Sequence, residues 1–195
     1  MKRTISLLTV LTFILTFSGS VFAQVSNITA DAHVVSTIKS TSTQDVHFGQ
    51  IPTDISSTAP TLDPTQSGSN SGTIGGTQQI GYIVFSGTAN QSVSITPPSS
   101  VTLGNQNDSN FSVDFVPNLC YEDTDTSGSN TCSSAGGYGN SITVQGTNFS
   151  GTGTVWIGGK LNNATDSSSG SAQSTNSLAE GTYTHSVSIS IDYSI

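Results

Sequence analysis

Cys120 and Cys132 are the two cysteines of the chain, and such a pair does one of two kinds of chemistry. A catalytic redox pair needs a Cys-x-x-Cys spacing at a helix N-terminus, where the first thiol is held as a thiolate. Neither feature is present, so the pair points to a structural disulfide. It would close a loop of about a dozen residues and contribute on the order of 3 kcal/mol in the chain-entropy account. Inside that ring runs Glu122-Asp123-Thr124-Asp125-Thr126-Ser127-Gly128. From Asp123 onward the residues match the first, third, fifth and sixth positions of a calcium loop, which makes Asp123, Asp125 and Ser127 a candidate for a weak calcium site. The twelfth position, where a bidentate glutamate belongs, is Ser134, and no flanking helices are expected. The other reading is an acidic, solvated hairpin tip.

The remaining reactive side chains are scattered. His33 and His47 each follow an aspartate by two residues, Asp31 and Asp45, without a third metal ligand nearby in sequence, so they read as solvated polar faces. His185 shares the apolar face of the last strand and reads as packed or at a sheet end. Serines abound, but no Gly-x-Ser-x-Gly elbow stands in a strand-turn-helix setting. Carboxylates are too sparse to name the facing pair of a glycosidase. Tyr121, Tyr138 and Trp156 could stack on a sugar ring, against the alternative of simple core packing. No catalytic constellation emerges, and the expectation is a protein with neither enzymatic activity nor a cofactor.

What must position these residues follows from composition and period. The chain has 195 residues with Lys+Arg 4 against Asp+Glu 12, and Ser and Thr make up roughly a third of it. Lys2 and Arg3 precede an apolar run from Ile5 to Phe17, then Ser18-Gly19-Ser20 and Val21-Phe22-Ala23, the pattern of a secretory signal peptide over residues 1–23. The run is too short for a membrane span, which needs about 20 residues. Removing Lys2 and Arg3 takes the formal charge from −8 to −10, with Lys39 and Lys160 as the remaining cations. Such a chain cannot neutralise a run of phosphates, so nucleic acid is excluded as a partner. It is expected to be exported, to the periplasm, outer surface or extracellular space, and not to span a membrane.

Residues 24–195 read as one all-β domain, because their apolar residues are β-branched or aromatic and recur at period two. Ile28, Ala30, Ala32 and Val34 alternate with polar residues as a first strand that extends toward Ile38. Val46 and Phe48 flank His47, with a phase break at Gly49 that suggests a bulge. Ile80 to Phe85 and Val93 to Ile95, around Gly87-Thr88-Ala89-Asn90, read as a β-hairpin. Val101 and Leu103, Phe111 to Phe115, Ile142 and Val144, and Val155 to Ile157 follow as strands. From Tyr183 to Ile195 every second residue is apolar or His185, which predicts one long terminal strand. Eight to ten short strands between Gly, Ser, Asn and Thr clusters make an antiparallel sandwich, with long loops at about 56–76, 118–140 and 162–181.

Several motifs carry a resemblance. His47-Phe48-Gly49-Gln50-Ile51 resembles the Phe-Gly-x-Ile element of a bacterial secreted family designated domain of unknown function 4402. The stretch Gly81 to Leu103 resembles that family's central hairpin. Ile157-Gly158-Gly159-Lys160-Leu161 and Gly181-Thr182-Tyr183 through Ile191-Asp192-Tyr193 resemble its later elements. The resemblance implies an immunoglobulin-like, pilin-like sandwich at the cell surface or in the periplasm, with a fimbrial or adhesive role. The insertion between Asn118 and Asn140 departs from the family pattern.

A sandwich with unpaired edges can be extended by a strand from another chain. Ile28, Ala30, Ala32 and Val34 form a candidate donor. Val187, Ile189, Ile191 and Tyr193 form a candidate surface for a neighbouring subunit or a periplasmic chaperone. The leading expectation is therefore a surface subunit that forms a homo-oligomer or joins other surface subunits. The alternative is a monomeric extracellular glycan-binding module, calcium-dependent if the acidic loop takes the ion.

Overall fold

Apolar side chains at every second residue make two long strands the centre of the molecule. In this computed structural model, which describes residues 35–175 and 177–194, the strands are β1 (Lys39–Gln44), β2 (Thr61–Leu62), β3 (Gly81–Ser86), β4 (Val93–Thr96), β5 (Val101–Asn105), β6 (Phe111–Glu122), β7 (Ala135–Tyr138), β8 (Ile142–Val144), β9 (Thr152–Asp166), β10 (Gln173–Thr175), β11 (Tyr183–Thr184) and β12 (Ser190–Tyr193), with a 3₁₀ turn at Gly146–Asn148. The expected signal peptide and the expected first-strand residues Ile28, Ala30, Ala32, His33 and Val34 lie outside the described residues. β6 and β9 pair antiparallel from Phe111↔Asp166 to Glu122↔Thr154. Val113, Phe115 and Leu119 of β6, with Val155, Ile157 and Leu161 of β9, are buried in the two main apolar clusters.

Around this pair the chain builds two antiparallel sheets. The larger runs β1-β3-β9-β6-β5-β11, with β2 and β10 added along β9 and β7 along β6. The smaller is β12-β4-β8. Val93, Ile95 and Val144 of the small sheet share one cluster with Phe85, Leu119, Val155 and Ile157 of the large sheet. Phe149 closes that cluster by stacking on Phe85 with centroids 5.6 Å apart. The architecture is thus an all-β sandwich, as the period-two pattern predicts. The rest of the large sheet is covered by connections instead of strands. Val113, Phe115, Leu161 and Ala164 pack under Ile55 and Leu178, with Phe48, Ile51, Tyr183 and Val187 beside them.

Three sequence expectations need correction. First, β3 and β4 are not a hairpin: β3 pairs with β1 and β9, and β4 with β12 and β8. The chain between them switches sheets. Gly87 N–H donates to the Gly151 carbonyl and Asn90 N–H to the Phe149 carbonyl, with Asn90 at φ 61°. Turn residues mark where a chain bends, not which strand it joins. Second, the terminal segment is not one strand. Tyr183–Thr184 pairs with β5 and Ser190–Tyr193 with β4, so the segment crosses from one sheet to the other. The alternation survives the crossing because both sheets face the same interior. Third, Val46–Phe48 forms only an isolated bridge, His47↔Gln79. The phase break at Gly49 is real: φ is 72° there, and an added Cβ would lie 2.7 Å from the Gly75 carbonyl oxygen.

Two of the three expected loops contribute short strands to the sheet. β6 continues to Glu122 and β7 returns beside it, so residues 118–140 are partly strand. In 56–76, Leu62 is fully buried and β2 pairs with β9 through Thr61↔Lys160. Residues 168–174 of the third loop are exposed, while Leu178 is buried over the second cluster.

Candidate functional site

The disulfide forms as expected: Cys120 and Cys132 are bonded, with Cα atoms 6.1 Å apart, and both are buried with Trp156. Adjacent strand residues face opposite ways. Leu119 and Tyr121 pack on the main core, whereas Cys120 belongs to a cluster with Trp156, Ile80 and Tyr82 on the other side of the sheet. The ring is fastened over that cluster. The Trp156 Nε1–H donates to Glu122 Oε2 at 2.5 Å and reaches Thr126 Oγ1 at 3.2 Å. The Glu122 carboxylate also accepts from the Thr126 and Thr131 hydroxyls. Thr126 N–H donates to Thr154 Oγ1 at 3.0 Å, and that hydroxyl donates to the Thr124 carbonyl at 2.7 Å. The 56–76 insertion joins the same structure: Gln66 N–H donates to the Cys132 carbonyl and Asn130 Nδ2 to the Pro64 carbonyl.

This arrangement places the calcium candidates. Asp123 Oδ1 accepts from Ser150 N–H at 2.7 Å and from the Tyr121 hydroxyl at 3.0 Å. Asp125 Oδ1 accepts from Ser127 N–H at 3.1 Å, a two-residue turn in which the serine contributes its backbone. The two carboxylates thus serve as hydrogen-bond acceptors for separate partners. Among the described residues no group of three His, Cys, Asp or Glu side chains comes together in a way that could hold a metal ion. Burial, and then the hydrogen bond to Asp123, pushes the Tyr121 phenol well above its ordinary range.

The aromatic candidates are not brought together either. Trp156 is buried beneath the ring, and Tyr82 packs edge-on to it at 5.2 Å. Tyr121 is half-buried on the core face beside Phe85. Tyr138 is exposed, with the Lys160 ammonium 4.8 Å above its ring. His47 and His185 are exposed and lie on separate elements.

The terminal candidates divide. Val187 and Ile189 lie in the connection between the sheets, and Ile191 and Tyr193 sit on β12, all half-buried. Among the described residues β12 is an end strand of the small sheet, bonded to β4 alone. Beside it a groove of about 290 Å³ is lined by Val35, Ser36, Thr37, Ile38, Ile191, Asp192 and Tyr193. Its geometry is set by one hydroxyl. Tyr193 Oη accepts from Thr88 N–H at 2.6 Å and donates to the Ser36 carbonyl at 2.7 Å. Ser36 N–H in turn donates to Thr88 Oγ1 at 2.7 Å. Gly87 makes room for this contact, since a Cβ there would lie 2.7 Å from Tyr193 Oη.

Sequence reasoning missed Glu122 as the anchor of the ring and Thr88 as the partner of Tyr193, because both act across large sequence separations. Phe149, which stacks in the core from an irregular stretch, was missed for lack of any periodic neighbour. Among the described residues no helix is long and apolar enough to cross a membrane. No protein-family model, curated protein or solved structure matches the chain.

Proposed function

We propose that this protein is a non-enzymatic, exported structural subunit that joins neighbouring subunits at the bacterial surface by β-strand addition. The observation that carries the reading is that, among the described residues, the path of each sheet ends in a strand with an unpaired side. β1 closes one end of the large sheet with five of its six side chains exposed. β12 closes one end of the small sheet beside a groove lined by both polar and apolar residues. An unpaired row of backbone N–H and C=O groups is a template for another extended chain. Within the folded region such edges are normally blunted by charge, and here β1 carries only Lys39 and β12 only Asp192. The buried disulfide is compatible with an oxidising, exported setting.

A glycan-binding module would need its aromatics to line a common concavity. With Trp156 and Tyr121 packed and Tyr138 alone at the surface, no observation favours that reading.

The test is the assembly state of the chain beginning at Gln24, purified at micromolar and higher concentration and run on detergent gels before and after heating. A strand-added assembly gives concentration-dependent, high-mass species that survive detergent until heated. A monomer at every concentration would remove the proposal.

A further inference from the structure

Asparagine followed at the second position by serine or threonine is the acceptor triplet for N-linked glycans, and in an exported protein it serves where it lies in a surface loop. The chain holds this triplet at Asn27, Asn90, Asn107, Asn110, Asn148 and Asn163. Frequent Asn, Ser and Thr produce such triplets by composition alone, so the fold decides which of them a transferase can reach. Asn27 lies outside the described residues. Modification of this kind rests on the export proposed above and is independent of strand addition.

Three triplets are locked into the fold. At 148–150, Phe149 is buried against Phe85, and the Ser150 hydroxyl donates to the Asp123 carbonyl at 3.3 Å. At 163–165, Ala164 is fully buried and Thr165 of β9 pairs with both Ser112 and Ser174. At 90–92, Asn90 N–H donates to the Phe149 carbonyl at 2.9 Å, and Ser92 Oγ accepts from Gly146 N–H at 3.0 Å. A transferase draws its acceptor into a cleft as an extended segment. Each of these three could follow only by breaking the core, a sheet or the crossing between sheets.

The other two share the tip of the β5–β6 hairpin, where Gln106, Asn107, Ser109 and Asn110 are exposed. Asp108 organises this tip: its Oδ1 accepts from the Asn110 backbone N–H at 3.0 Å and from Asn110 Nδ2 at 2.9 Å. The carboxylate polarises the amide N–H that N-glycosylation must deprotonate. No such bond links Asp108 to the Asn107 amide. Phe111, the middle residue of the Asn110 triplet, belongs to none of the apolar clusters among the described residues. Ser112 pairs with Gly104 beside the tip, so the triplet lifts by opening the first rungs of β6 and leaves the core closed.

We propose that Asn110 is an N-glycosylation site that receives an oligosaccharide from a lipid-pyrophosphate donor through a membrane-bound transferase. The Nδ2 lone pair forms the bond to the anomeric carbon of the first sugar. The bond from that carbon to phosphate breaks, and the lipid pyrophosphate leaves with its electron pair. The amide nitrogen gives up one proton to a base of the transferase.

The test is the mass of the chain isolated from the cells that make it, followed by mass spectrometry of the peptide across the hairpin tip. The expected result is a glycan on Asn110 that is lost in Asn110→Gln and in Ser112→Ala and kept in Asn90→Gln and Asn107→Gln. Asn110→Gln retains the backbone carbonyl that accepts from Ser167 N–H and its hydroxyl, and Ser112→Ala deletes a single oxygen. A chain starting at Gln24 with the mass of its disulfide-bonded residues alone, or a glycan that survives Asn110→Gln, overturns the site while export stands. A chain that keeps residues 1–23 removes export and the site together.

Discussion

Single side chains fix the two ends of the sandwich. Tyr193 links three distant segments through one oxygen, and Tyr193→Phe removes both of its hydrogen bonds while keeping the ring. The expected loss is about 1–2 kcal/mol, because Thr88 N–H and the Ser36 carbonyl lose a partner near the surface and not in a dry interior. Urea denaturation of the two proteins measures it. Tyr121 makes a pH-dependent contribution. Its phenol is held above the ordinary value of 10.0, first by burial and then by the bond to Asp123. A raised pKa means that the folded state keeps a proton the unfolded chain releases. That contribution is complete below about pH 10 and declines as pH rises beyond it. Denaturation midpoints followed from pH 8 to pH 11 should fall at the alkaline end, and Tyr121→Phe should flatten the decline.

Elements hold together through insertions that became structure. The ring from Cys120 to Cys132 and the segment around β2 are tied to each other and to β9, so they behave as one layer over Trp156. Reducing the disulfide releases the ring's constraint on the unfolded chain, at a cost of about 3 kcal/mol. It should also red-shift the emission of Trp156, the single tryptophan, as the ring lifts. Gly158 is where β2 lies closest to β9: an added Cβ would sit 2.2 Å from the Leu62 carbonyl oxygen and 2.9 Å from Pro64 Cδ. Gly158→Ala should therefore push this layer off the sheet and cost about 1–3 kcal/mol, in the range of overpacked cores. Calorimetric melting checks both changes.

At the scale of the whole molecule, charge and edges act in opposite directions. From Gln24 onward two lysines face twelve carboxylates, so copies repel one another at low ionic strength. Salt shortens that repulsion, with a Debye length of about 30 Å at 0.01 M and about 8 Å at 0.15 M. Pairing of backbone groups and apolar contact at an edge is screened much less. Assembly at fixed protein concentration should accordingly increase as salt rises over that range, measured by sedimentation. A decrease would mean that opposite charges, and not strand edges, hold the copies together.

Period-two alternation of β-branched and aromatic residues was enough to establish an all-β sandwich and most of its strands. The cysteine spacing was enough to identify the disulfide. Those features are local: each strand's inward face is written in its own residues. Which strand lies beside which is not written there. Gly87 to Asn90 has the residues of a hairpin turn yet switches sheets, and Tyr183 to Tyr193 keeps one alternation while leaving one sheet for the other. Pairing is settled by the whole core closing at once, as when Phe149 from an irregular stretch fills the space against Phe85. The acidic loop shows the same division. Its carboxylates were legible as potential ligands, but only the folded chain gave Asp123 to Ser150, because hydrogen-bond partners far apart in sequence meet only when the sheets do.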